Sequence, residues 1–227
     1  MNDTQPLNHI AFIMDGNRRW SVEQGMSKIE GHKHGRDNMH RILNHCKTKG
    51  IKYVSVYAFS TENWNRSQLE VQALLLLLQQ TISDEKQTLL DQQVRIRFVG
   101  DLSQFPDTVQ EQMTILEQET ADYEQTLFIC LSYGGRLEMI RAAEALARSG
   151  DEYSEENFKK HMWSSDMPDI DLLIRTGGNR RLSNYLPWQA TYAELYFTDT
   201  YWPALTTDEL DSIVRTYQER IQINKGK

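Results

Sequence analysis

The stretch His9-Ile-Ala-Phe-Ile-Met-Asp-Gly-Asn-Arg-Arg-Trp20 sets the architecture of this chain. An apolar run from Ile10 to Met14 ends in a lone carboxylate, Asp15, followed by a Gly-Asn turn, two arginines and an indole. That is the pattern of a buried strand emptying into a polar turn at its carboxyl end, where open α/β sheets hold their ligands. A carboxylate beside two guanidiniums and free turn amides suits a metal-bridged polyphosphate. The competing account is a strand-to-helix turn in which Asp15 caps the helix and both arginines are solvated.

Outward from this segment, apolar runs of strand length alternate with helical patterns, which predicts an α/β fold with a central, mostly parallel sheet flanked by helices. Strands are predicted over 9–14, 52–59, 94–99, 126–132 and 171–174, with a short one near 194–197. Helices are predicted over about 34–49, 68–92, 106–122, 135–149, 155–161 and 207–221. The length of 227 residues favours one domain, 1–227, and no linker or repeat interrupts it. The turns at 101–106 and 149–152 read as connections within that domain. The helix from Gln68 carries a broader apolar surface near 74–78 than one core-facing stripe needs.

Composition is that of a globular protein, with 39% hydrophobic and 25% charged residues. A net charge of −7 and a pI near 5.4 argue against non-specific nucleic-acid binding, so local arginine clusters call for a local anion. Cys46 and Cys130 lie far apart without metal-ligand spacing and read as reduced core thiols of a cytoplasmic protein. Met1 to Pro6 show no secretion signal, and the leucine run 74–78 is too short to span a bilayer.

Three further segments carry chemistry. Lys28-Ile-Glu-Gly-His-Lys-His-Gly35 places Gly31-His32 just before a predicted helix, where cationic groups and a helix amino end favour an anion. A solvated basic helix start is the alternative. Tyr57-Ala-Phe-Ser-Thr-Glu-Asn-Trp-Asn-Arg66 ends a strand in small polar groups, an amide, an indole and a guanidinium. Ser60 and Asn63 could orient or relay a proton there, or they could cap a helix. Asp171-Leu-Leu-Ile-Arg-Thr-Gly-Gly-Asn-Arg-Arg-Leu-Ser-Asn184 ends a strand in Arg175, and Gly177-Gly178 lets backbone amides approach an anion. Arg181 and Ser183 add donors. Glu194, set among small and apolar residues, needs a cation: one of these arginines or a metal.

Absences narrow the chemistry. There is no phosphate loop, dinucleotide fingerprint or nucleophile elbow. No zinc spacing and no paired-aspartate helix motif occurs either. Arginines, two separated carboxylates and glycine turns suit loss of diphosphate with a metal stabilising the departing charge.

Taken together, Met14–Trp20, Gly31-His32, Ala58–Arg66, Tyr133–Arg136, Ile174–Gly178, Arg181–Asn184 and Tyr192–Leu195 resemble the cis-prenyltransferases, most nearly the bacterial undecaprenyl diphosphate synthases. The resemblance runs in order from about residue 8 to about residue 220. It implies a homodimer with an apolar product tunnel, and a reaction in which isopentenyl diphosphate is added successively, in cis, to an allylic diphosphate such as farnesyl diphosphate, with Mg²⁺. The product implied is a long cis-polyprenyl diphosphate, undecaprenyl diphosphate for cell-wall lipid carrier synthesis. By the same resemblance Asp15 and Asn63 are catalytic, Asp15 holding the metal and Asn63 helping to remove a proton. Gly16, Asn17, Arg18, Arg19, Trp20, Lys28, His32, Ser60, Thr61, Glu62, Trp64 and Arg66 bind the allylic substrate. Arg175, Arg181, Leu182 and Ser183 bind isopentenyl diphosphate, and Glu194 completes the metal site. The helix after Gln68 becomes a wall of the tunnel, where a growing chain gains roughly 0.8 kcal/mol per buried CH₂. Release of so apolar a product implies peripheral contact with a membrane surface.

Several positions depart from the family pattern. Lys28 stands where arginine is usual, Asn179 where glutamate is, and Ser132 where asparagine is common. Leu131 adds bulk, and the tail from Ile221 lacks an arginine-rich ending. These departures keep open a short- or medium-chain synthase, and an inactive accessory subunit of a heteromeric enzyme.

Overall fold

The structure, a computed structural model, describes residues 7–65 and 67–225. Met1–Pro6, Arg66 and the last two residues of the tail therefore lie outside the described residues. In chain order the elements are β1 (His9–Ile13), α1 (Asn17–Glu23), α2 (Lys28–Thr48), β2 (Tyr53–Tyr57), α3 (Gln68–Asp91), β3 (Val94–Val99) and α4 (Asp107–Glu119). There follow β4 (Gln125–Cys130), α5 (Gly135–Ser149), α6 (Glu155–Lys160), β5 (Leu172–Arg175), β6 (Glu194–Phe197) and α7 (Thr207–Lys225). All six predicted strands are present, and they hydrogen-bond in the order β3-β4-β2-β1-β5-β6. The chain forms two compact units whose boundary falls inside β2: Met1–Val54 with Asp169–Arg181 and Ala190–Lys227, and Ser55–Pro168 with Leu182–Gln189.

In the first unit, β1 is buried along its whole length and pairs parallel with β5, which pairs parallel with β6. Ile13, Arg175 and Phe197 share one level, so the three carboxyl-end turns start side by side. Two elements differ from the expectation. α1 was not predicted, because Asn-Arg-Arg-Trp-Ser-Val-Glu has little apolar periodicity. α2 begins at Lys28 instead of 34, because Ser27 and Glu30 form a capping box: Ser27 Oγ accepts from the Glu30 amide at 3.3 Å and Glu30 Oε2 accepts from the Ser27 amide at 2.7 Å. Gly31-His32 thus sits inside the helix and not before it.

That placement gives the glycines a packing role. A Cβ on Gly31 would run into the Asn17 carbonyl and lie 2.8 Å from Ser21 Cβ; one on Gly35 would meet Asn17 Oδ1 and lie 3.1 Å from Trp202 Cδ1. Two glycines one turn apart let α1 lie against the backbone of α2. Trp202, 1% exposed, locks the same corner: its indole donates to the Gly35 carbonyl at 2.7 Å and its ring lies 5.4 Å from that of Phe12.

In the second unit, β3 and β4 pair parallel from Val94↔Gln125 to Val99↔Cys130. Val109, Met113 and Leu116 of α4 and Ala142 and Leu146 of α5 are buried. Glu138 is buried but fully partnered: it accepts from Tyr133 Oη at 2.6 Å and from Ser164 N and Oγ at 2.9 and 2.6 Å. On α3 only part of the apolar surface is covered. Ile82 and Leu89 are buried, residues 74, 75, 77 and 78 are half-buried, and Leu69 and Leu76 are exposed.

Both thiols are free and buried. Burial pushes the Cys46 thiol up to about 12 and holds Cys130 well above the usual thiol range. Native protein at pH 8 is therefore expected to leave both unreactive towards an aromatic disulfide reagent, with both reacting once the chain is unfolded. Rapid reaction of the native protein would contradict the packing. Gly31→Ala is expected to lower stability in urea by about 2 kcal/mol, since the α1 backbone must retreat.

Candidate active site

Asp15 leaves β1 with both its backbone and its side chain tied down. Its carbonyl accepts from Thr176 Oγ1 at 2.8 Å and from the Trp202 amide at 3.0 Å. Oδ2 accepts from Asn179 Nδ2 at 2.7 Å and from Arg175 Nη2 at 3.0 Å, and Oδ1 accepts from Arg19 Nη2 at 3.2 Å. It is not a helix cap: Gly16, with φ 106°, occupies the cap position of α1 without a side-chain bond. Burial alone would raise the Asp15 carboxyl. The Asn179 hydrogen bond, the Arg175 hydrogen bond and charge, and the Arg19 charge outweigh it and hold the group below the ordinary aspartate range. Asp15 is an anion at neutral pH.

The surrounding turns carry an excess of cations. Arg18, Arg19, Arg180 and Arg181 are exposed, and Arg19 stacks over Tyr201 at 5.1 Å. Arg175 is different. Its side chain is 6% exposed, and Nη1 donates to the Arg181 carbonyl at 2.5 Å while Nη2 holds Asp15. It builds the turn as well as charging it. The glycines also differ from expectation: the Gly177 and Gly178 amides donate to the Thr200 and Thr198 carbonyls at 2.8 and 2.9 Å, so they are not open to an anion. Their need for glycine is conformational, with φ of 81° and 80°. A Cβ on Gly177 would also lie 2.7 Å from Arg19 Nη2.

Asn17 turns inward, its Nδ2 donating to the Met14 carbonyl at 3.1 Å. Trp20 packs edge-on against His34 at 5.0 Å. Lys28 is exposed at the first position of α2, and His32 is half-buried one turn further on. Neither is at a free helix end, because the capping box occupies it.

Glu194 is the residue the structure does not bring to Asp15 within one chain. It opens β6 in register with Leu172 and hence with Ile10, five residues short of Asp15 along the strand direction. At about 3.3 Å per residue that is roughly 16 Å. Its partner is Arg220 Nη1 of α7 at 3.6 Å, an arginine outside those the sequence pointed to. Among the described residues no three His, Cys, Asp or Glu side chains gather around a metal position. Of the two carboxylates, Asp15 would fit a divalent cation at this turn, with Oδ1, which accepts one hydrogen bond against two at Oδ2, the less encumbered atom. Glu194 of the same chain does not fit that site.

In the second unit, the segments after β2 and β4 are knitted together at their carboxyl ends. Ser60 bridges Tyr133, and the Thr61 amide donates to the Tyr133 carbonyl at 3.0 Å. Thr61 to Asn65 form a 3₁₀ turn, which Asn63 caps by accepting the Ser60 amide at 3.1 Å. The Trp64 indole donates to Ser132 Oγ at 2.9 Å and its ring packs on Phe59 and Phe105 at 5.0 and 5.5 Å. Burial would raise the Glu62 carboxyl, but hydrogen bonds from its own backbone, Ser60, Asn184 and Thr61 hold it lowered. Gly134 admits Thr61 Oγ1 at 2.6 Å from where its Cβ would be, and Asn184 accepts the Arg136 amide at 2.8 Å. Leu182 is half-buried and Ser183 exposed, the latter with φ 50°. Arg66 lies outside the described residues.

Sequence reasoning missed Thr176, which anchors the Asp15 carbonyl, and it read Asn179 only as a lost carboxylate. It also missed Asp199, whose Oδ1 lies 3.1 Å from where a Gly178 Cβ would be. Thr176 and Asp199 follow from strand register, which a single sequence does not display.

Comparison with known proteins agrees with this arrangement. The profile of the family described as "Putative undecaprenyl diphosphate synthase" matches residues 13–223. The isoprenyl transferase of Wolinella succinogenes is 39% identical over 221 residues, covering 97% of each chain. A ditrans,polycis-undecaprenyl-diphosphate synthase of Acinetobacter baylyi, described as (2E,6E)-farnesyl-diphosphate specific, is 39% identical over 220 residues, 93% of this chain and 88% of that one. The crystal structure of lavandulyl diphosphate synthase from Lavandula x intermedia in complex with dimethylallyl diphosphate superposes with a TM-score of 0.86 at 30% identity, covering 93% of this chain and 94% of that one. With its sheet, its strand-end arginines and these relatives in agreement, the chain is a prenyltransferase and belongs to the undecaprenyl diphosphate synthase family.

Proposed function

We propose that this prenyltransferase extends farnesyl diphosphate by successive cis-additions of isopentenyl diphosphate with Mg²⁺, and that undecaprenyl diphosphate, a carrier lipid for cell-wall synthesis, is its product. The observation that carries this reading is Asp15, an ionised carboxylate clasped by Arg175, Asn179 and Arg19 at the end of β1. The name of the Acinetobacter relative supports the primer and the product.

In each addition the allylic C–O bond breaks, its diphosphate departs, and the isopentenyl double bond supplies the electron pair of the new C–C bond. A proton then passes from the condensing partner to the released diphosphate, and the C–H electron pair forms the new double bond. Asp15 would hold Mg²⁺, which when bound would supply electrophilic stabilisation of the departing charge. Arg18 and Arg19 flank the allylic diphosphate, with Gly16 and Asn17 shaping the turn that presents them. Arg181, with Ser183, binds the diphosphate of isopentenyl diphosphate, and Arg175 keeps their turn in place. Asn63, an amide without a basic lone pair at neutral pH, orients the condensing carbon while a proton leaves. The half-covered leucines of α3 form the wall along which the apolar product grows.

The enzyme acts as a homodimer in this reading. β6 ends the sheet, and Leu195 within it and Tyr192 just before it are exposed, which supports self-association at that edge. No helix among the described residues is long and apolar enough to cross a membrane. In this reading the apolar product is released at a membrane surface that the enzyme touches peripherally. A short-chain product is the second reading, favoured by the likeness to a synthase whose crystal structure holds dimethylallyl diphosphate. An inactive accessory subunit is disfavoured, since the clasp around Asp15 is complete.

Labelled isopentenyl diphosphate is expected to be incorporated onto farnesyl diphosphate only with Mg²⁺, and a chelator should abolish it. Asp15→Asn keeps the shape but loses the charge, and turnover should fall about 10³-fold with little change in unfolding temperature. Incorporation that survives the chelator, or turnover within tenfold in Asp15→Asn, would sink the assignment.

A further inference from the structure

Asn179 follows the Gly177-Gly178 turn and works in two directions at once. Its Oδ1 accepts from Arg181 Nη1 at 3.1 Å, and its Nδ2 donates to Asp15 Oδ2 at 2.7 Å. The second bond is shorter than either arginine bond to the same carboxylate. The turn that delivers it is itself fixed, because the amides of both preceding glycines are held by the carbonyls of Thr200 and Thr198.

We propose that Asn179 is a positioning residue of prenyl transfer: it sets the orientation of the Asp15 carboxylate and seats the Arg181 guanidinium through one planar amide. This rests on the reading given above for Asp15 and Arg181. The chemistry singles out an amide, which presents an acceptor and donors on one rigid group. A carboxylate at this position can accept from Arg181 but cannot donate to Asp15, and would set a second anion against the first. An alanine can do neither. Asn179 therefore gives the turn a donor that a glutamate would not supply. It links the residue assigned to the departing allylic diphosphate with the residue assigned to its condensing partner.

The test uses the full chain and two variants, Asn179→Ala and Asn179→Asp. For Asn179→Ala, kcat is expected to fall about tenfold, with KM for isopentenyl diphosphate raised several-fold and KM for the allylic substrate nearly unchanged. In Asn179→Asp, Arg181 turns to the new carboxylate, and kcat should fall further. A second readout needs neither metal nor turnover: calorimetric titration with inorganic diphosphate should show binding about tenfold weaker in Asn179→Asp than in the parent chain. Unfolding temperatures within a few degrees of the parent separate positioning from loss of fold. Parent-like kcat and KM in both variants, with an active parent, would overturn the role of Asn179 alone. A parent that incorporates no isopentenyl diphosphate would count against the reaction assigned above, and the diphosphate titration would then decide on Asn179: equal affinities would overturn it.

Discussion

A guanidinium almost stripped of water needs a carboxylate, and the meeting of Arg175 with Asp15 is the constraint on which the site depends. Arg175 ends β5 in register with Ile13, so a carboxylate two residues beyond Ile13 is within reach of it. Removing either partner would leave a poorly solvated charge without compensation, a change that costs several kcal/mol where burial is deep. The pair also decides where everything else goes. Arg175 pins the Arg181 carbonyl, Thr176 pins the Asp15 carbonyl, and Asn179 and Arg19 complete the shell. Arg18, Arg180 and Arg181 are exposed on the same turns, beside an anion that already faces Arg175 and Arg19. A local surplus of positive charge in a chain of net charge −7 then points to a diphosphate.

Each unit builds its functional turns at carboxyl strand ends, and each fixes them with buried polar groups. In the second unit, Glu138 holds the Tyr133 hydroxyl, and the Tyr133 carbonyl receives both the Thr61 amide and the Tyr57 hydroxyl. Burial raises the Glu138 carboxyl, against hydrogen bonds from Ser164 and Tyr133 that pull it down. Through Tyr133 this buried group is linked to the Ser60–Trp64 segment. Asn63, expected to be catalytic, and Trp64, expected to contact the allylic substrate, also have structural tasks: one caps the 3₁₀ turn and the other binds Ser132 and two phenylalanines.

The sheet was legible because strands buried on both faces write themselves as short apolar runs, as His9–Ile13 and Leu172–Arg175 do. The start of α2 was misplaced although its signal was present: Ser27 and Glu30 have capping-box spacing, but a run of lysines and histidines between glycines reads as a loop. Gly31 and Gly177 were singled out for the wrong physical reason. Both permit close backbone approach, to Asn17 and to Asp15, and neither offers an open amide bed at its turn. The family resemblance put Glu194 at one metal site with Asp15, while the residues alone left an arginine or a metal open as its partner. Register separates the two carboxylates, because one opens its strand and the other follows the end of its own. Asn179 was visible as a departure, but its gain as a donor appears only once Asp15 and Arg181 lie on either side of it.

The most direct test of this account is the chain length of what the enzyme makes. Purified protein would be incubated with Mg²⁺, farnesyl diphosphate and excess isopentenyl diphosphate, and the products resolved by mass after removal of the diphosphate. The account predicts an elongated cis-polyprenyl series ending at the undecaprenyl chain. Recovery of unextended farnesyl diphosphate as the sole prenyl species would contradict it.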